Sequence, residues 1–199
     1  MRGPVRIRPA QGHQIINIHY GVPFSRIFRG KAVRLLISSV RKKSPYSVDA
    51  KLKSLNYMDS VLAKLQANAA QMDDAILLDM NGNLAEATGM NIFVVKGNRV
   101  SVPTTTASLA GITRRVVLDI VSTELGFSAQ ETDITPHDLY TADEAFLTGT
   151  GAGIVPIEEV DGRRIGSGSH KIVQKVKEKY EQDIREHSVE INEMPLKYL

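Results

Sequence analysis

Cysteine is absent from all 199 residues, which excludes disulfides, a thiol nucleophile and thiolate metal sites, and fits a cytoplasmic address. No apolar run approaches the roughly 18 residues of a membrane span, so no membrane partner is expected. The basic start, Met1-Arg-Gly-Pro-Val-Arg-Ile-Arg8, has no apolar stretch behind it and does not read as a secretion signal. Internal repeats and low-complexity segments are missing too. The five histidines, at 13, 19, 137, 170 and 187, show no metal-ligand spacing, and no Ser-His-Asp pattern or nucleophile elbow appears. Metal and serine hydrolysis are therefore poor readings. Net charge is only +3 despite a pI near 9.1, the basic residues are spread out, and no nucleic-acid module accompanies them. What remains, 42% hydrophobic and 24% charged residues, is enough for one large or two small globular domains.

Residues 1–12 read as irregular. His13–Tyr20 and Ala32–Val40 read as strands, the second apolar enough to be central. The basic stretch from Arg41 to Ala50 reads as a solvated loop. From Tyr57 to Gln71, Met58, Val61, Leu62, Leu65 and Ala69 recur at helical spacing and predict one buried stripe. Ala75–Asp79 and Asn83–Glu86 flank Asn81-Gly82, predicting a hairpin on a type I′ turn, and Asn91–Val95 and Arg99–Val102 repeat the device around Gly97-Asn98. Successive hairpins predict an antiparallel meander. Gly111–Leu125 predicts a helix with Val116, Val117, Ile120, Val121 and Leu125 inward, and Gln130–Ile134 a strand. Pro136–Tyr140 reads as a short helix capped by Thr135. Glu144–Thr148 and Ile154–Val160 read as strands. Ile172, Val173, Val176, Tyr180 and Ile184 mark a last helix before a loosely held tail, 190–199.

Four pieces carry chemistry. Lys53 precedes a helix among Leu52, Leu55 and Tyr57, which would desolvate its amine and favour the neutral nucleophile; taken alone, a lysine before a helix is usually a solvated charge. Glu86, 33 residues on, lies in a strand between Ala85 and Ala87. That position is unexpected for a carboxylate unless it is paired, or faces water at a sheet edge. Ala110-Gly-Ile-Thr113 opens a helix, where free N–H groups favour an anion, though an ordinary capped helix would look the same. Gly149-Thr-Gly-Ala-Gly153 runs into a strand, so it is no dinucleotide fingerprint, but it leaves open a backbone-amide cradle for an anion. An amine for an aldehyde, an acid for a ring nitrogen and amides for a phosphate are what pyridoxal phosphate needs.

Taken in order, Lys53-Ser-Leu-Asn-Tyr57, Leu62-Ala-Lys64, Asp79–Gly82, Glu86-Ala-Thr-Gly89, Asn91-Ile-Phe93, Leu109-Ala-Gly-Ile-Thr113, Tyr140-Thr-Ala-Asp-Glu144 and Thr148-Gly-Thr150 resemble the class IV pyridoxal-phosphate aminotransferases, branched-chain members above all. The resemblance covers roughly residues 30–175. It implies an α/β (α+β) fold, the family's large domain, with a mixed, largely antiparallel, barrel-like sheet and flanking helices. Residues 1–27 would be a remnant of the small N-terminal domain and 28–199 the large cofactor-binding domain. It implies pyridoxal 5′-phosphate as cofactor, an amino acid and a 2-oxo acid (2-oxoglutarate foremost) as substrates, and a cytoplasmic homodimer.

The roles it implies are these. Lys53 would bind the cofactor's aldehyde and move the proton of the substrate; Tyr57 would hydrogen-bond the phenolic oxygen, and Glu86 the ring nitrogen. Leu109 would support the ring. Ile112, Thr113, Gly149 and Thr150 would hold the phosphate, and the Thr150 and Gly151 amides the substrate carboxylate. The chain departs from the family where Ala87 replaces a Gly, where Gly153 replaces a Glu, and in lacking most of the N-terminal domain with its phosphate-gripping arginine. Arg6, Arg8, Arg26 and Arg29 stand in no matching motif. The shared motifs leave open D-amino-acid or (R)-amine transamination, aminodeoxychorismate lyase chemistry, and a non-catalytic module.

Overall fold

The computed structural model describes residues 5–7, 16–18 and 31–187. Most of the expected 1–27 remnant, the bulk of the His13–Tyr20 strand, Arg8, Arg26, Arg29 and the 190–199 tail lie outside them. Within the stretch expected to be irregular, Val5–Ile7 (β1) is a strand, paired antiparallel with Ile16–Ile18 (β2).

The remaining strands form one nine-stranded mixed sheet. They are β3 (Val33–Arg41), β4 (Asp74–Leu78), β5 (Leu84–Ala87), β6 (Asn91–Lys96), β7 (Arg99–Val102), β8 (Ser128–Glu131), β9 (Glu144–Gly149), β10 (Gly153–Val160) and the short β11 (Arg163–Arg164). Their order is β5-β4-β3-β10-β9-β6-β7-β8, with β11 on β10. β3 is central, as its apolar content predicts, and runs parallel to both neighbours; most other pairs are antiparallel. The sheet curls so that β5 comes back against β6 without joining its ladder. This is the expected barrel-like, largely antiparallel architecture.

It is not a meander. The β4–β5 and β6–β7 hairpins sit in opposite halves, separated by β3, β10 and β9. Burial fits this: β4 and nearly all of β6 are covered along their length and take interior places, while β5, equally covered, ends the ladder and packs back against β6. The β8 strand falls two to three residues before the expected stretch.

Alternation along the strands divides the core. Ile92, Val94 and Leu147 face the inside of the curl with Leu35, Ile76 and Ile157, plugged by Leu139 of α3 (Pro136–Tyr140). Phe93, Val95 and Phe146 face outward, where α2 (Ile112–Asp119, extended by a π-helical turn Ile120–Glu124) and α4 (Lys171–His187) cover them with Val117, Val121, Val173 and Val176. Phe93 and Phe146, directly opposed across β6–β9, stack at 4.9 Å. Thr135 caps α3 in a reciprocal box with Asp138, and Pro136 opens that helix, as read from the sequence.

Two local expectations are overturned. In the β4–β5 turn, Gly82 is left-handed (φ +88°) but Asn81 is not, so the turn is not type I′. The Asp79 carboxylate accepts the N–H groups of both Asn81 and Asn83, and the Asp79 carbonyl accepts that of Gly82, closing a longer loop in which glycine alone needs positive φ. In α1 (Met58–Ala69) the buried face is Asp59, Ser60, Ala63 and Ala67, while Met58, Val61, Leu62, Leu65 and Ala69 are exposed. Ala63 and Ala67, one turn apart, let the helix backbone close onto Ala75 and Leu77 of β4, and only small residues fit there.

Candidate cofactor pocket

Several chain segments converge on one cavity of about 490 Å³. Lys42 and Lys43 follow β3, and Glu86 comes from β5. The β5–β6 turn gives Thr88–Met90, the start of α2 gives Leu109–Thr113, and the end of β9 gives Thr148–Gly151. Lys53 and Tyr57 close one side. All nine residues singled out from the sequence (Lys53, Tyr57, Glu86, Leu109, Ile112, Thr113, Gly149, Thr150 and Gly151) line it.

Glu86 does not point at water. It is 9% exposed; its Oε1 lies 2.8 Å from the Lys42 ammonium, and its Oε2 accepts the Leu109 N–H at 2.9 Å. Lys42 itself is 5% exposed and has a second carboxylate, Asp59 of α1, at 3.4 Å. Lys43 reaches the other Asp59 oxygen at 3.1 Å. Burial works to lower the Lys42 pKa, but the charges and hydrogen bonds of Glu86 and then Asp59 outweigh it and raise the ammonium above the usual lysine value. For Asp59, burial pushes upward, and the Lys42 charge with the hydrogen bonds from Lys43 and Ser60 more than reverses it, holding the carboxyl below its ordinary value.

Lys42 was legible only as part of a solvated basic loop, and that reading is overturned. Its signal was indirect. Asp59, Ala63 and Ala67 form a stripe at spacings of four, and a carboxylate on a small-residue face that packs against a sheet needs a buried partner.

Lys53 differs from the expectation as well. It lies in the irregular segment before α1 and is exposed. Leu52 and Leu55, expected to desolvate the amine, are 66% and 100% exposed. Among the described residues Lys53 enters no ion pair. The pocket thus holds amines of two kinds, since Lys43, like Lys42, is paired with Asp59. Lys42 is buried and kept charged by two carboxylates, whereas Lys53 is unpaired and free to react.

Across the cavity, α2 starts at Ile112 with Gly111 as its N-cap and no side chain capping its first N–H groups. The Thr113 hydroxyl lies 3.3 Å from the buried Tyr180 hydroxyl of α4, so Thr113 offers the pocket its backbone. Asn91 holds this start in place by donating from Nδ2 to the Leu109 carbonyl at 2.8 Å. Gly149 and Gly153 pair across the β9–β10 turn. Beside them the Thr148 hydroxyl, 1% exposed, has no hydrogen-bond partner among the described residues.

A curled mixed sheet thus presents an exposed amine, a buried carboxylate and a helix start without a side-chain cap to one cavity. The amino-transferase class IV family model matches residues 6–160. The branched-chain-amino-acid aminotransferase of Pseudomonas aeruginosa is 43% identical over 125 residues, covering 62% of this chain and 40% of its own. Among solved structures, the branched-chain aminotransferase of Thermoproteus uzoniensis with norvaline superposes at TM-score 0.76 with 35% identity, over 84% of this chain and 55% of that one. The branched-chain amino acid aminotransferase of Thermobaculum terrenum in its PLP-form superposes at 0.77 with 29% identity, over 82% and 54%. The chain belongs to the class IV aminotransferase family. It spans about half the length of the curated relatives it matches.

Proposed function

We propose that this chain binds pyridoxal 5′-phosphate in the cavity and transfers an amino group from a branched-chain or related amino acid to a 2-oxo acid. The observation that carries the reading is the shared cavity of Lys53, Glu86 and the uncapped α2 start. The residues fit the cofactor. Among the described residues the Thr148 hydroxyl and the first N–H groups of α2 are donors without acceptors, and the Glu86 carboxylate suits a protonated ring nitrogen.

When bound, the cofactor supplies an aldehyde carbon for the amino group and a ring that withdraws electrons from it. Glu86 would hold the ring nitrogen. Tyr57 would donate to the phenolic oxygen, and Leu109 would pack on the ring. The backbone of Ile112, Thr113, Gly149 and Thr150 would hold the phosphate, with the Thr150 and Gly151 amides left for the substrate carboxylate. Lys53 would present its amine to the aldehyde carbon and take the proton from the substrate Cα, whereas Lys42 is engaged by two carboxylates. On this reading residues 28–199 make up the cofactor-binding domain.

The exposed flank at Lys53 is the observation behind a second reading, a module that holds the cofactor without turnover. One experiment separates the two. The transaminase reading expects a visible absorption band on adding pyridoxal phosphate, abolished by borohydride, absent in Lys53→Ala, and followed by glutamate formation from leucine and 2-oxoglutarate. A band with no glutamate supports the module; no band refutes both.

A homodimer and a cytoplasmic location go with the first reading. A second copy would cover Met58, Val61, Leu62 and Leu65, an apolar row open on α1. The lack of cysteine is in keeping with the location.

A further inference from the structure

Lys42 is buried in the wall of the cavity, yet the proposed chemistry makes no use of it. Two carboxylates hold it. Glu86 Oε1 is 2.8 Å from its ammonium and Asp59 Oδ2 is 3.4 Å away, while its own backbone N–H is fixed to the Leu78 carbonyl of β4 at 2.9 Å. Glu86 in turn has one donor on each oxygen, Lys42 on Oε1 and the Leu109 N–H on Oε2. Its carboxylate is therefore set in one plane and one orientation.

Charge counting sharpens this. A buried carboxylate without a cation is driven toward its neutral form. A lone cation beside it would restore ionisation but would also repel a protonated ring nitrogen. Asp59 removes that conflict. Asp59 is shared by Lys42 and Lys43, so with Glu86 the four charges sum to zero and Lys42 does not stand beside Glu86 as a lone cation. Asp59 is held by Lys43 and by the Ser60 N–H and cannot swing away to replace Glu86.

We infer that Lys42, itself held by Asp59, is a positioning residue that fixes the Glu86 carboxylate and aims it at the ring nitrogen of the bound cofactor. This rests on the cofactor reading above.

The test is the ratio of two dissociation constants, for pyridoxal phosphate and for its analogue with a C–H in place of the ring nitrogen. In the wild type the natural cofactor binds about tenfold or more tighter, the worth of a charged hydrogen bond. Glu86→Gln collapses the ratio toward one. Lys42→Met is expected to collapse it likewise, and to add nothing in the Glu86→Gln background. Asp59→Asn, which leaves Lys42 uncompensated, reduces the ratio, and Lys42→Arg restores most of it.

If Lys42 only supports the fold, Lys42→Met weakens both ligands in parallel and the ratio stays at its wild-type value, which overturns the inference. Should Lys42→Met fail to fold, Asp59→Asn decides, because an unchanged ratio there is equally fatal. A wild-type protein that binds neither ligand, or binds both alike, refutes the cofactor reading itself. That failure is distinct from an intact wild-type ratio that ignores Lys42 and Asp59.

Discussion

Gly111 lies against Asn91 so closely that a Cβ added to it would stand 2.3 Å from Asn91 Oδ1. Asn91 cannot give way, because its Nδ2 holds the Leu109 carbonyl and its backbone lies in the β6–β9 ladder. Gly111 is needed here for closeness and not for its φ, which is extended at −66°, 144°. Gly111→Ala is expected to cost about 1–3 kcal/mol, the usual penalty for overpacking. It should also displace the N–H groups of α2 and weaken binding of pyridoxal phosphate. Urea denaturation and a cofactor titration check the two effects. Full affinity in a destabilised variant would remove the α2 start from the site.

Lys53 and Lys42 should respond oppositely to truncation. Lys53 is exposed and unpaired, so Lys53→Ala is expected to change stability by less than about 0.5 kcal/mol while abolishing the borohydride-sensitive band. Removing Lys42 strands two buried carboxylates, so Lys42→Ala is expected to cost about 3–5 kcal/mol. Melting curves with and without cofactor measure both. A visible band retained in Lys53→Ala would reassign the reacting amine.

Much of this was readable in advance because it depends on local signals. The Thr135-Pro136 start, the Phe93 and Phe146 strands and the α2 start at Gly111 are each encoded within a few residues. The buried partner of Glu86 was not readable, since Lys42 and Asp59 meet it only through the parallel pairing of β3 with β4 and the docking of α1. The inverted reading of α1 has a related cause. Periodicity finds an apolar stripe, but a close helix–sheet contact selects Ala63 and Ala67 over larger side chains, and no pattern of hydrophobicity alone tells which stripe faces inward.

That outward stripe makes its own prediction. Val61 and Leu65 are 50% and 57% exposed on α1, and Met58 and Leu62 continue the row. A Val61→Glu, Leu65→Glu double variant is expected to leave the isolated chain's stability within about 1 kcal/mol while weakening self-association. Ala63→Glu on the buried face should unfold the protein. Sedimentation velocity over a range of concentrations reads association directly. A wild type that stays monomeric at high concentration would refute the proposed dimer.

Asp74, the first residue of β4, bears on pH. It is 3% exposed and accepts the Thr88 hydroxyl at 2.6 Å and the Ala75 N–H at 2.9 Å. Burial raises its pKa; the two hydrogen bonds and the Lys64 charge oppose that without reversing it, and Asp73 adds to the rise. The folded state therefore binds this proton more tightly than the unfolded chain does, so Asp74 disfavours folding increasingly as pH climbs from about 3.8 through the raised value. Asp59 works the other way, contributing stability above its ordinary pKa that is lost as pH falls through its lowered one. Asp74→Asn keeps an acceptor oxygen for Thr88 and Ala75 but carries no charge. It is expected to melt higher than the wild type at pH 7, with the advantage shrinking toward pH 4. An advantage that is constant across that range would show that Asp74 does not titrate within it.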